Sequence, residues 1–172
     1  MIKNMSYTIR EARVEDAPNL VKAEKEIAKI PGFLISRPNE LIQELFEATI
    51  IECSVDHNGK YLVAEKDTKV IAHGFLSPLD LKAVSHVARL TIVVHEGFQT
   101  QGVGKGIVED LIAWAKKSPK IEKIQANVRD SNEKAIGLYK KLGFKEEGRL
   151  LQQIKISDDY YLNEIIMGLW VK

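Results

Sequence analysis

Polar and apolar residues alternate along Tyr7–Arg10, the pattern of a strand with one wet face. From Val14 to Ile30 the apolar residues Leu20, Val21, Ala23, Ile27 and Ala28 recur at helical spacing, and Pro31-Gly32 closes the segment. A second helical run over Pro38–Ala48 places Leu41, Ile42, Leu45 and Phe46 on one face. Tyr61–Glu65 and Val70–Leu76 then read as strands joined by the polar turn Lys66–Lys69, a hairpin. His86–Val94 is a further strand, Val103–Lys117 an amphipathic helix and Lys123–Val128 another strand. Asp130 reads as an N-cap with Glu133 after it, opening a helix that runs to Leu142. Glu147–Ile156 and Tyr160–Trp170 are two last strands around the turn Ser157–Asp159. Strands separated by helices in the second half predict an α/β (α+β) fold, a mixed sheet of roughly six or seven strands with about four helices on both faces.

Composition narrows the possibilities. With 172 residues, 45% of them hydrophobic and no repeat or linker, the chain reads as one domain over 1–172. Lys plus Arg number 25 and Asp plus Glu 24, so bulk charge recruits neither nucleic acid nor an acidic membrane, and any anion site must be local. Cys53, the single cysteine, excludes an internal disulfide, lacks the spacing of a metal or redox motif and reads as a small core residue. No metal is expected. Met1–Arg10 has no apolar core of signal-peptide length and no stretch approaches a membrane span, so a cytoplasmic protein is expected.

Between the strand and the amphipathic helix stands Gln99-Thr-Gln-Gly-Val-Gly-Lys-Gly106. A glycine-rich entry into a helix lets an anion approach backbone N–H groups that have no internal partner. A P-loop needs Lys and then Ser or Thr after Gly102, where the chain has Val103 and Gly104. A dinucleotide fingerprint starting from Gly102 and Gly104 needs Gly or Ala at position 107, which is Ile107. What remains is a third kind of pyrophosphate loop, Gln99-x-x-Gly102-x-Gly104.

That loop resembles the one in the GNAT superfamily of coenzyme A-dependent N-acetyltransferases, which reads Gln or Arg, x, x, Gly, x, Gly or Ala. Downstream, Asn132-Glu-Lys-Ala135-Ile-Gly-Leu138-Tyr139-Lys-Lys-Leu-Gly143-Phe144 is similar to the family's second signature, Asn-x-x-Ala-x-x-Leu-Tyr-x-x-x-Gly-Phe. The order of elements also resembles that fold over nearly the whole chain. The resemblance implies acetyl-CoA as acyl donor, with its pyrophosphate cradled by the backbone N–H groups of Thr100, Gln101, Gly102, Val103, Gly104 and Lys105 and contacted by the side chains of Gln99 and Lys105. It also implies that main-chain groups of Ile92, Val93 and Val94 pair with the pantetheine arm and leave an N–H near the thioester oxygen. Asn132 would contact the arm and Tyr139 would protonate the departing thiolate. A phenol of reference pKa about 10 holds its proton at neutral pH, as that role requires.

The base is less legible. Family members that act on ribosomal-protein N-termini often carry glutamate where this chain has Asn127, and histone-type members carry one where it has Ala88. The remaining candidates are His86, Glu164 and a water relay. His86 shares strand parity with Ala88, Leu90 and Ile92 and has a reference pKa of about 6.5. Glu164 is polar within an otherwise apolar strand, which suits a base, a contact to a cationic substrate or a wet sheet face. Glu40, Glu44, Glu47 and Glu52 fit a solvated helix face. His86–Gln99 and the ending through Met167 look closest to small-molecule members acting on amino acids or related amines, with polyamine and protein N-terminal acetylation as alternatives. A non-catalytic acyl-CoA-binding regulatory module is the alternative of another class. An exposed final strand can pair with a second copy, which would give a homodimer.

Overall fold

The computed structural model describes residues 6–55 and 59–172. The part of the N-terminal reading that concerns residues 1–5 lies outside the described residues. In chain order the elements are β1 (Thr8–Glu11), α1 (Ala17–Ala28), α2 (Gln43–Ser54), β2 (Lys60–Lys66), β3 (Lys69–Pro78), β4 (Val87–Val94), α3 (Val103–Lys117), β5 (Lys123–Arg129), α4 (Glu133–Lys141), β6 (Lys145–Ser157) and β7 (Tyr160–Trp170). The strands form one seven-stranded sheet in the order β1-β2-β3-β4-β5-β7-β6. Every neighbouring pair is antiparallel except β4 and β5. The mixed sheet and four α-helices expected from the sequence are therefore present among the described residues.

The parallel pair is where the sheet opens. Its ladder runs from Val87↔Lys123 to Leu90↔Ala126 and goes no further. Beyond it Thr91–Val94 remain bonded to β3, and Asn127–Arg129 to β7, so the two strands diverge as a wedge. A diverging pair leaves main-chain donors and acceptors without strand partners, and such groups need a ligand or water.

The two faces are covered by different helices. Ile124, Ala126 and Val128 of β5 join Ala88 and Leu90 of β4 and Ile107, Val108 and Leu111 of α3 in the larger buried cluster. Alternation along a strand sends Gln125, Asn127 and Arg129 to the opposite face. On that side Ala17 and Leu20 of α1, with Ile50 and Cys53 of α2, pack on Tyr61 and Val63 of β2. The single cysteine is buried, as its sequence setting suggests. Among the described residues no helix is long and apolar enough to cross a membrane.

Three local expectations are corrected. The predicted second helix is a short turn at Pro38–Glu40 followed by α2, which runs to Ser54. Consequently Ile42 (49%) and Leu45 (58%) are exposed and the buried face is carried by Ile50 and Cys53. The first helix begins at Ala17, after a short 3-10 turn at Val14–Asp16. The N-cap of α4 is Asn132, whose Oδ1 accepts from the Ala135 N–H at 3.1 Å; Asp130 instead accepts from Asn163 Nδ2 at 2.8 Å. The β2–β3 hairpin matches its expectation, with the turn residues Asp67 and Thr68 at φ 48° and 65°, the geometry that two-residue hairpin loops favour.

Candidate functional site

A cleft of about 820 Å³ lies at the open end of the wedge. Its walls come from β4 (Ile92, Val93, Val94), the glycine loop, the start of α4 and the α1–α2 connection.

The loop is shaped by backbone conformation. Gly102 is the N-cap of α3 at φ 81°, a left-handed value that an L side chain rarely adopts, and the Gly106 N–H closes the first helical bond onto its carbonyl at 3.0 Å. The N–H groups at the start of α3 have no intrahelical acceptor and stand at the positive end of the helix dipole, where a phosphate is favoured. A Cβ on Gly102 would meet nothing within 4 Å, so that position faces open space; one on Gly104 would meet Val94 Cγ2 at 3.0 Å. Gln99 braces the loop: its Oε1 accepts from the Gly97 N–H at 3.0 Å and its Nε2 donates to the Val94 carbonyl at 3.4 Å. Gln101 Nε2 turns back to the Gly97 carbonyl at 2.9 Å, and Lys105 lies 3.6 Å from Glu109. Thr100, Gly102, Gly104 and Lys105 line the cleft beside Gln99, whereas the side chains of Gln101 and Val103 do not, Val103 being buried in the core.

Across the wedge, Asn132 and Tyr139 of α4 reach the same cleft. Tyr139 is buried, its ring 5.2 Å from that of Phe144, and its hydroxyl makes no hydrogen bond among the described residues. Burial pushes its phenol up to about 12, so it is a neutral O–H donor throughout the physiological range.

The base candidates separate. His86 does not line the cleft; it sits before β4 at the closed end of the wedge, where its carbonyl accepts from the N–H groups of Glu122 and Lys123 and its ring stacks on Trp170 at 6.2 Å. Strand parity gives its face and says nothing of how far along the strand the cleft lies. Glu164 is only 5% exposed, which removes the wet-face reading, and its Oε2 accepts from Asn127 Nδ2 at 3.0 Å. It pairs in register with Arg129, which does line the cleft. None of Glu40, Glu44, Glu47 and Glu52 lines it.

The sequence reading missed a buried polar chain on the α1 side. Glu24 Oε1 lies 2.7 Å from His73 Nε2, His73 Nδ1 lies 3.1 Å from His95 Nε2, and His95 Nδ1 lies 3.1 Å from the Val70 carbonyl. A carbonyl only accepts, so His95 donates through Nδ1 and, when neutral, accepts through Nε2 from His73 Nδ1–H. Burial first, then the neighbouring His73, holds the His95 imidazole down at about 3, which keeps it neutral. His73 Nε2 and Glu24 then hold one proton between them. The chain ties α1 to β3 and to the junction of β4 with the glycine loop. A glutamate on the Leu20–Ile27 stripe was the available signal.

Residues 24–144 match the Acetyltransferase (GNAT) family. An N-alpha-acetyltransferase of Sulfurisphaera tokodaii is 26% identical over 170 residues, covering 93% of this chain and 93% of that protein. An L-amino acid N-acetyltransferase of Escherichia coli is 29% identical over 110 residues, covering 62% of this chain and 68% of that protein. Among solved structures, the acetyltransferase of GNAT family from Streptococcus pneumoniae matches with a TM-score of 0.87 at 25% identity, over 97% of this chain and 100% of that one. A phosphinothricin acetyltransferase from Sinorhizobium meliloti in complex with acetyl-CoA matches with a TM-score of 0.82 at 17% identity, over 96% and 89%.

Proposed function

We infer that this chain, which belongs to the GNAT acetyltransferase family and is an acetyl-CoA-dependent N-acetyltransferase, acetylates the primary amine of a small molecule, an amino acid or a related amine. The observation that carries the reading is one cleft shared by the glycine loop, the end of β4 that β5 leaves unpaired and the free hydroxyl of a buried Tyr139. Acetyl-CoA supplies the acyl group as a thioester. The first turn of α3 binds its pyrophosphate, and the main chain of Ile92–Val94 holds the arm and donates to the oxygen that gains negative charge as the amine nitrogen attacks. As the new C–N bond forms and the C–S bond breaks, Tyr139 gives its proton to the sulfur. The amine loses its surplus proton to water in the cleft, with Glu164, bonded to Asn127, as a buried carboxylate on that face behind the lining residue Arg129.

The end of α1 and its connection to α2 support a small acceptor, because Ile27, Ile30, Phe33 and Leu34 give the cleft an apolar wall. Similarity to an L-amino acid N-acetyltransferase points the same way. A protein N-terminus is the second reading, favoured by the near full-length similarity to an N-alpha-acetyltransferase; both acceptors offer an α-amine. The cytoplasm suits either.

Release of free coenzyme A, followed with a thiol reagent across free amino acids, short peptides and polyamines, tests this. Turnover with free amino acids is expected. Turnover confined to peptides selects the second reading, and turnover confined to polyamines overturns both.

A further inference from the structure

The guanidinium of Arg129 is the feature of the cleft that nothing so far accounts for. Arg129 is the last residue of β5, partly buried, and lines the cleft. Among the described residues it makes no hydrogen bond and no ion pair within 4 Å through its side chain, in contrast to Arg10, which is held by Asp16 at 2.8 Å and Glu65 at 2.7 Å. Glu164, its register partner, is engaged by Asn127 instead. Burial pulls the Arg129 pKa below the usual arginine range, with Glu164 opposing, yet arginine remains charged at any working pH. A partly desolvated cation without a bonded anion is a place where a ligand carboxylate or phosphate gains two parallel bonds.

Its position within the wedge chooses between those anions. Continuing the parallel register past Leu90↔Ala126 sets Val93 level with Arg129. Val93 pairs with His73, whose ring meets Glu24 of α1, so Val93 faces the α1 side. Arg129 alternates with the core-facing Val128 and faces that side too. The glycine loop instead leads into α3, which covers the other face. Of the other cations on the wall, Lys105 belongs to that loop and Lys134 stands exposed on the first turn of α4.

We propose that Arg129 binds the carboxylate of the acceptor, so that the preferred substrate is a free α-amino acid whose side chain rests on Ile27, Ile30, Phe33 and Leu34. An α-amino acid carries its amine one carbon from its carboxylate. A fork on Arg129 therefore orients the amine across the wedge toward the main chain of Ile92–Val94. This rests on the small-molecule reading above and adds that the acceptor is an acid. Arg129 is a specificity residue and takes no part in moving protons.

The test pairs each free L-amino acid with its own carboxamide, in the wild type, Arg129→Met and Arg129→Lys, with acetyl-CoA affinity measured by calorimetry on all three. In the wild type the acids are preferred over the amides. Arg129→Met lowers kcat/KM for the acids by about 100-fold, mostly through KM. It leaves the amides and acetyl-CoA affinity nearly unchanged, and Arg129→Lys restores part of the loss. Equal losses for acids and amides, or amides preferred by the wild type, overturn the proposal. A parallel loss of acetyl-CoA affinity would assign the guanidinium to a cofactor phosphate and overturn it as well. A wild type that uses neither acids nor amides, only peptides or polyamines, fails the small-molecule reading itself, which is a different result.

Discussion

On the α3/α4 side of the sheet the buried cluster is made of aliphatic and aromatic side chains, from Leu62 and Ile71 through Ile107 and Leu111 to Met167. On the α1/α2 side the interior also holds Glu24, His73, His95 and Glu164, none more than 9% exposed. The two faces contribute to the cleft by different means. Close-packed carbon fixes where the main chain runs, and the donor site proposed on that face is mostly main chain: a left-handed glycine, a helix start and a strand edge. The other face uses buried polar side chains, each of which must be hydrogen-bonded to repay its desolvation.

Placing bulk on the main-chain site should have the largest effect. Gly104→Trp would put a side chain against Val94, whose Cγ2 already stands 3.0 Å from the position of a Cβ. Acetyl-CoA affinity should fall by at least about 100-fold by calorimetry, which is roughly 2.7 kcal/mol, while circular dichroism stays native. Wild-type affinity would move the phosphate site elsewhere. Tyr139→Phe comes next, because it removes one oxygen and little packing. A fall in kcat of about 100-fold is expected, with acetyl-CoA affinity and melting temperature nearly unchanged. Since burial pushes the phenol up to about 12, no alkaline loss of activity in the usual assay range belongs to it. Unchanged turnover would leave Tyr139 as packing only.

The same contrast separates what the sequence announces from what it hides. A main-chain site must be written locally, in glycines at fixed offsets, and the pattern Gln99–Lys105 was legible for that reason; Asn132 and Tyr139 would act through side chains, but one helix carries both, so their spacing was legible too. So were the strands and the Asp67-Thr68 hairpin. A side-chain site is assembled from distant positions. His73 and Glu24 are 49 residues apart, and neither signals the other. His86 looked equally suitable by residue type and strand parity, yet it lies at the closed end. Asp130 and Asn132 are both good caps, and the choice was made by Asn163, 33 residues downstream of Asp130. Ile42 and Leu45 fitted a helical face, but the register in which α2 meets β2 buries Ile50 and Cys53 instead. Arg129 stood beside a recognised signature, and only the divergence of β4 and β5 gave it a role.

Stability should also report the difference between the faces. His73→Leu leaves the Glu24 carboxyl and His95 Nε2 buried without a partner, and should cost about 2 kcal/mol in chemical denaturation. Ile107→Val, a deletion of one methylene on the apolar face, should cost about 1 kcal/mol. Adding Glu24→Leu to His73→Leu should recover part of the loss, because exchanging both partners for carbon removes the unsatisfied carboxyl. A double variant as unstable as the sum of the single ones would mean that Glu24 and His73 do not depend on each other.

The most gradual effect is a slope. The folded chain holds His95 neutral down to about pH 3, whereas the unfolded chain takes up that proton near pH 6.5. Between those values the unfolded state binds more protons, so stability falls as pH drops, by about 1.4 kcal/mol per unit, and above that window His95 contributes nothing. Asp16 acts lower. Its burial works against the charged form, but the bond from Arg10 and the Arg13 N–H outweigh it and hold the carboxyl below the usual range. Its contribution is therefore present above the unfolded value of about 3.9 and is lost only below it. The interval from pH 6.5 to about 4.5 thus isolates the histidine side of the polar face from this carboxylate. Denaturation midpoints across that interval should fall in the wild type, and the slope should flatten in His95→Gln, whose amide can donate and accept without titrating. An unchanged slope in that variant would place the acid sensitivity on another group of the face, and His95 would then be a spacer rather than the neutral end of the chain from Glu24.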